Sequence, residues 1–272
     1  MILGQNPWDV YDPEMTVISF NTENNKPLAN LIHIGTHCTA AGISHEISRD
    51  WAGVMADRLE KQSGGMSLFF NGTAGDVAPR MANAGSTGNL ELAMELGGLA
   101  GIDAGRAWKT IRTFRDEPLA FVTGDITVPY EPAIPKDEIP GRLAAVKITS
   151  KSGWSWEINS LETLADLYKT GNTGPDSLTY KQTIVRIGPA VLVPFPFEVS
   201  TEIGMRLRNY SSFGHTLLLS CTNGSNSYLP AQSQLCRGGY EVESFRWFRH
   251  RQLPDNADTL IIERNLQLME KL

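Results

Sequence analysis

Short apolar runs alternate along this sequence with longer segments whose apolar residues recur every three or four positions. That alternation restricts the chain to layered folds in which helices cover a sheet. Residues 28–34, 66–70, 190–193 and 215–221 read as strands, and 49–62, 90–111 and 199–210 as helices. We expect the four strands in one sheet with the three helices packed on it. Two hairpins frame the pattern: residues 15–20 turn through Asn24-Asn25-Lys26-Pro27 into 28–34, and residues 178–187 turn at Gly188-Pro189 into 190–193. Ser48 can cap the first helix, whose Trp51, Val54, Met55 and Leu59 share one face, and Gly64-Gly65 ends it. The helix at 90–111 is rich in Gly and Ala, which suggests close packing of helix on sheet. A strand at 120–128 and a closing helix near 260–272 complete the layer. The expected fold is α/β or α+β, a layered mixed β-sheet with flanking helices. It forms a single domain over 1–272, with a helical excursion at about 129–175.

Composition removes several functions. Formal net charge is −6 and no basic stripe occurs, so phosphate-backbone binding has no source and no nucleic-acid partner is expected. The longest apolar run, 190–197, contains two prolines and is too short to span a bilayer. No charged-then-apolar leader opens the sequence, and the compartment stays open. Cys38, Cys221 and Cys236 form neither a CxxC nor an even set, and are expected as small buried apolar residues.

Three polar loops follow strands, where sites in layered α/β folds gather. The first is His33-Ile34-Gly35-Thr36-His37-Cys38-Thr39, in which alternation makes His33 a satisfied core histidine and His37 the loop-borne one. The second is Pro194-Phe195-Pro196-Phe197-Glu198-Val199, where Glu198 can equally be a capping residue of the next helix. The third runs from Cys221 to Pro230, and its Tyr228 alone reads as a packing residue with a wet hydroxyl. Asp76, after Gly75 in the loop 71–80, reads as a turn residue or a positioning group, and Asp50 as a helix cap. Trp154, Trp156 and Tyr168 in the excursion read as packing, or as a lid over an apolar substrate tail.

Taken in order, these segments resemble the neutral/alkaline (non-lysosomal) ceramidases over nearly the whole chain outside 129–175. His37-Cys38-Thr39 stands in the family's His-x-Thr motif, followed by Ser48-Arg49-Asp50-Trp51-Ala52-Gly53. Thr73-Ala74-Gly75-Asp76-Val77-Ala78-Pro79 matches its Gly-Asp-Val loop. Phe197-Glu198-Val199, followed by Gly204-Met205-Arg206-Leu207-Arg208, matches its Gly-Glu-Phe segment. Asn223 to Tyr228 and then Gly239-Tyr240-Glu241 match its two tyrosine segments.

The resemblance implies that His37, Glu198 and Tyr228 bind one zinc ion and that Tyr240 donates to the substrate oxygen, with Asp76 and Thr73 as further candidate catalytic residues. It implies hydrolysis of a linear amide, an N-acyl sphingosine or related small N-acyl substrate, by zinc-activated water. Mixed N/O ligands suit catalytic zinc, which lowers the pKa of a water toward ~7. The pattern departs from the family twice. Its other zinc histidine lies in an upstream His-x-His-x-Gly-Pro motif, and none of His33, His37, His45, His215 and His250 stands in such a motif. The chain then reads as the later part of a catalytic domain, with an N-terminal segment of a parent protein as partner, or as a divergent form with an incomplete site. Zinc is expected to be weakly held or absent, unless His33 or His45 completes the set. The family serine has no counterpart; Thr73 is the nearest hydroxyl, which favours attack by water. The same scaffold acting on a non-lipid amide, or a non-catalytic remnant, are the rival readings.

Overall fold

The computed structural model describes residues 6, 8–82, 87–150, 155–171 and 173–272. Strand β1 (Thr16–Asn21) pairs antiparallel with β2 (Pro27–Ile34), which pairs parallel with β3 (Met66–Asn71). A second sheet runs β4 (Leu119–Pro129), β5 (Ser177–Ile187), β6 (Ala190–Pro194) and β8 (His215–Leu219), with β6 and β8 parallel. Between β6 and β8 lies the two-residue β7 (Glu198–Val199), parallel to β9 (Tyr228–Leu229). The layered mixed α/β fold matches the pattern of the sequence. The four strands expected in one sheet instead fall into two. β3 and β8 form no ladder; Ser220 N donates to Asn71 O (2.9 Å) just past β8, so the sheets meet where the strands end.

The parallel pairs need crossovers, and helices provide them. Helix α1 (Asp50–Ser63) links β2 to β3, and Trp51, Met55 and Leu59 bury its apolar face with Ile32. Helix α2 (Leu90–Thr110) packs on α1, and its small residues face that helix rather than a sheet. A Cβ at Gly97 would stand 2.5 Å from Trp51 O, so a larger residue would push the two helices apart. Helix α5 (Thr201–Tyr210) links β7 to β8, and α8 (Ala257–Met269) packs on β4. Ile203, Leu207, Ile261 and Ile262 join Val191, Val193, Phe195 and Phe197 in the largest core cluster.

The excursion forms α3 (Ile139–Thr149) and α4 (Trp156–Lys169), which share a small core of Ile139, Leu161 and Leu164. Tyr168 packs there and donates its hydroxyl to Ile134 O (3.0 Å), which is a packing role. Trp154 lies outside the described residues. Two short helices occupy the stretch after β9, α6 (Gln232–Leu235) and α7 (Tyr240–Arg249), and α4 leans on α7. All three cysteines are exposed, against expectation. Each sits in a connection: Cys38 beside His37, Cys221 at φ 49° after β8, and Cys236 at the end of α6.

Phe195 is fully buried at the end of β6. Phe195→Ala is expected to destabilise the fold by about 3–5 kcal/mol through lost burial and a cavity, read as a lowered midpoint of denaturant unfolding with an unchanged slope.

Candidate active site

β2, β3, β6 and β8 deliver their C-terminal ends to one place, and the loops that leave them form the candidate site. The β7–β9 ladder sets its geometry. Its register pairs Glu198 with Tyr228, so both side chains stand on one face as lateral neighbours. Glu198 N donates to Ser227 O (3.0 Å) and Ser200 N to Leu229 O (3.1 Å), locking that register. The loop before β9 is wound to reach it: Cys221, Asn223 and Ser227 all take positive φ, at 49°, 64° and 72°. Left-handed non-glycine residues cost about 1–2 kcal/mol each and persist where neighbouring structure demands them.

His37 arrives from the loop after β2. Its Nε2 lies 2.9 Å from Glu198 Oε2 and 3.4 Å from Tyr228 Oη, and its ring stacks on that of Tyr228 at 6.2 Å. Its Nδ1 lies 3.1 Å from Val77 O, a group that can only accept, so Nδ1 carries a proton. Nε2 is then the ring nitrogen turned toward the two oxygens. A neutral ring would set its lone pair against a carboxylate at 2.9 Å, so the spot calls for positive charge: a second proton on His37, or a cation between the donors.

The electrostatics agree. Burial opposes charge on His37, but the bond to Glu198 and its charge, with the carbonyls of Ala74 and Val77, prevail and raise its pKa. The bond from His37 depresses Glu198 below the usual carboxylate range, against the opposing effect of burial. Tyr228 is pushed far above the usual phenol value by burial and by the charge on Glu198, so it stays protonated at neutral pH. Tyr240, the first residue of α7, meets Tyr228 edge-on at 5.6 Å and is half exposed.

The other candidates stand one layer back. Asp76 Oδ1 accepts from Thr201 N and Oγ1 (both 2.8 Å), and Oδ2 accepts from Gln234 Nε2 (2.9 Å). It ties the loop carrying Val77 to α5 and α6, and so positions the carbonyl that orients His37. Thr73 is buried against α5, where a Cβ at Gly204 would lie 2.5 Å from its Cγ2. The structure thus brings together His37, Glu198, Tyr228 and Tyr240, and sets Asp76 and Thr73 behind them. Asp50 does more than cap a helix: its carboxylate accepts from Ala40 N (3.0 Å), Ala41 N (2.7 Å) and Trp51 N (2.8 Å), pinning the His37 loop. Trp51 Nε1 donates to His37 O (2.9 Å). Sequence reasoning took Trp51 as a core residue and part of a matched segment, and gave no role to Val77, whose backbone role leaves no side-chain signal.

His33 and His45 do not complete the donor set. His33 is buried with Nε2 2.7 Å from Leu218 O, and His45 is exposed in the loop before α1. Among the described residues no three His, Cys, Asp or Glu side chains form a metal-holding group. The converging donors are one His, one Glu and one Tyr. A groove of about 1110 Å³ opens behind the Asp76–Val77 loop, between α2 and α5, lined by Leu96, Met205 and Arg206 among others.

No family model and no curated protein sequence matches the chain. Four chains of solved structures do, two of them as follows. One is a ceramidase complexed with C2, at 17% identity and TM-score 0.63, covering 98% of this chain and 50% of that one. The other is the neutral ceramidase from Pseudomonas aeruginosa, at 19% identity and TM-score 0.63, covering 96% of this chain and 47% of that one. The chain has the neutral ceramidase fold and spans about half the length of those chains.

Burial holds His33 neutral and lowers its pKa below the usual 6.5. The unfolded chain therefore takes up this proton first as pH falls, and stability present above pH 6.5 is lost as pH drops through the folded-state value. His33→Gln is expected to flatten this part of the profile, measured as urea midpoints between about pH 7.5 and 5.

Proposed function

We propose that the chain is the site-bearing part of a zinc-dependent, ceramidase-like hydrolase that cleaves the linear amide of an N-acyl sphingosine or related N-acyl lipid. The observation that carries this reading is the convergence of His37, Glu198 and Tyr228, three residues far apart in sequence, with His37 fixed by Val77 so that Nε2 faces the two oxygens. The likeness to ceramidase folds supports it.

The donor set fits zinc. A nitrogen and two oxygens converge where the electrostatics ask for a cation, and a carbonyl holds the back of the imidazole, as orienting groups do in zinc sites. His37 Nε2, Glu198 and Tyr228 Oη would hold the ion. Zinc there would supply Lewis acidity, polarising an amide carbonyl and lowering the pKa of a water toward ~7. The residues of the chain do the rest. Tyr228 Oη offers a further oxygen donor, while Glu198 supplies the negative charge. Tyr240, at the rim, can donate its O–H to the charge that develops on the carbonyl oxygen. Asp76 holds Val77, and Val77 holds the imidazole against rotation.

Three donors, one of them a phenol that must lose its proton or bind as a neutral oxygen, hold zinc weakly. Added zinc is expected to bind one ion per chain by calorimetry, to be stripped by long dialysis, and to fail to bind His37→Ala. In the complete protein, Tyr240→Phe is expected to lower kcat on a short-chain N-acyl sphingosine by about 10²–10³-fold with little change in KM. A well-folded chain that binds no zinc would reduce it to a non-catalytic relative. Zinc surviving dialysis at one per chain would mean that a fourth residue completes the site.

A further inference from the structure

Helix α7 carries Tyr240 into the candidate site, yet little near Tyr240 fixes its direction. The two residues before it, Gly238 and Gly239, take φ of 64° and 108°, a region glycine enters freely, and the helix start has no side-chain cap. The angle at which the Tyr240 ring meets Tyr228 is therefore set by where the body of α7 is seated. Phe245 is the one buried residue of α7, its ring 6.3 Å from that of Tyr130. A single apolar anchor leaves a helix free to roll and tilt about it. The last turn has few polar ties: Trp247 Nε1 and Arg249 Nε are buried without an acceptor among the described residues, and Arg246 reaches only Glu243 of the same helix, at 4.0 Å. The exception is His250, which ends the helix at φ 55° and places Nδ1 2.9 Å from Ser160 Oγ on α4. Among the described residues it makes the one side-chain hydrogen bond that joins α7 or its cap to another element.

The other side of that bond belongs to the excursion. Helices α3 and α4 share a small core, Ile139, Leu161 and Leu164, separate from the largest core cluster. Outside that pair, the element on which α4 leans is α7. Ser160 stands next to Leu161, so its hydroxyl is held by a packed unit that meets the rest of the molecule chiefly along α7. We propose that the helical excursion is a brace for Tyr240: Ser160 holds His250, His250 holds the far end of α7, and the seat of α7 sets the Tyr240 phenol against Tyr228. The ten residues of α7 span about 15 Å, so His250 acts through the helix and is a positioning residue. Aim matters at the other end because an O–H donor loses strength steeply as its bond bends below ~120°. The proposal rests on reading Tyr240 as the donor to the substrate carbonyl, and adds what keeps that donor in line.

Two variants remove the tie without touching the site. His250→Gly keeps the left-handed backbone and loses the ring, and Ser160→Ala loses the hydroxyl. In each, hydrogen exchange of the α7 amides from Glu243 to Arg249 is expected to quicken by about three- to tenfold, the scale of one neutral hydrogen bond, with α5 unchanged. Combining the two is expected to quicken it no further, because one bond is lost only once. A fluorotyrosine at position 240 reports on the phenol directly, and its fluorine resonance is expected to shift alike in both variants. In the complete protein both are expected to lower kcat on a short-chain N-acyl sphingosine by a similar factor without raising KM, and to lower it no further once Tyr240→Phe is present. The proposal falls if α7 exchange or the fluorine resonance stays as it was, if the two effects add, or if kcat still drops in the Tyr240→Phe background. A protein that hydrolyses no amide would sink the hydrolase reading alone, since exchange and resonance are read without substrate or zinc.

Discussion

Two residue pairs of parallel β-ladder, Glu198 beside Tyr228 and Val199 beside Leu229, carry the arrangement of the whole candidate site. Parallel neighbours present their side chains on the same face, so this short pairing turns two loops into one surface bearing a carboxylate and a phenol. Everything nearby serves to hold it. Ser220 Oγ accepts from Val199 N (3.2 Å), and Gly75 N donates to Val199 O (2.8 Å) on the other edge. That last contact depends on glycine, since a Cβ at position 75 would sit 2.7 Å from Glu198 O. The loop 71–80 is thereby drawn against β7, which brings Val77 within reach of His37.

The site therefore works as a frame around a positive charge. The backbone of one loop fixes a ring nitrogen, the ladder fixes two oxygens opposite it, and Asp76 and Asp50 fix the loops. Both carboxylates act as acceptors for backbone N–H groups. Such ties are directional and shorter than most side-chain contacts, so they hold the loops where apolar packing would let them slide.

Much of this was legible in the residues. Runs such as 28–34 and 190–193 have few alternatives to a buried strand, and the amphipathic periods of α1 and α5 fix their buried faces. The grouping of His37, Glu198 and Tyr228 came from ordered motifs rather than from periodicity. What escaped had no local signature. β7 and β9 are two residues each, too short to show alternation. The division into two sheets reflects where β3 and β8 stop pairing, a matter of three-dimensional twist. Helix α7 follows two glycines and mixes charges with aromatic residues, so its period was masked. The glycines of α2 were assigned to the wrong neighbour because small residues announce close approach without saying to what.

The wound loop from Cys221 to Ser227 bears on how such a protein would fail. His37 and Tyr228 lie 191 positions apart, and the segment that joins them to Glu198 is held by a two-residue ladder and three left-handed residues. Val199 and Leu229 of that ladder are buried in the largest core, whereas the loop from Cys221 to Ser227 adds no residue to it. Partial opening at this one corner would cost far less free energy than global unfolding. A warmed sample would then keep its helical signature and its compact size while His37, Glu198 and Tyr228 drew apart, and cooling would bring them together again.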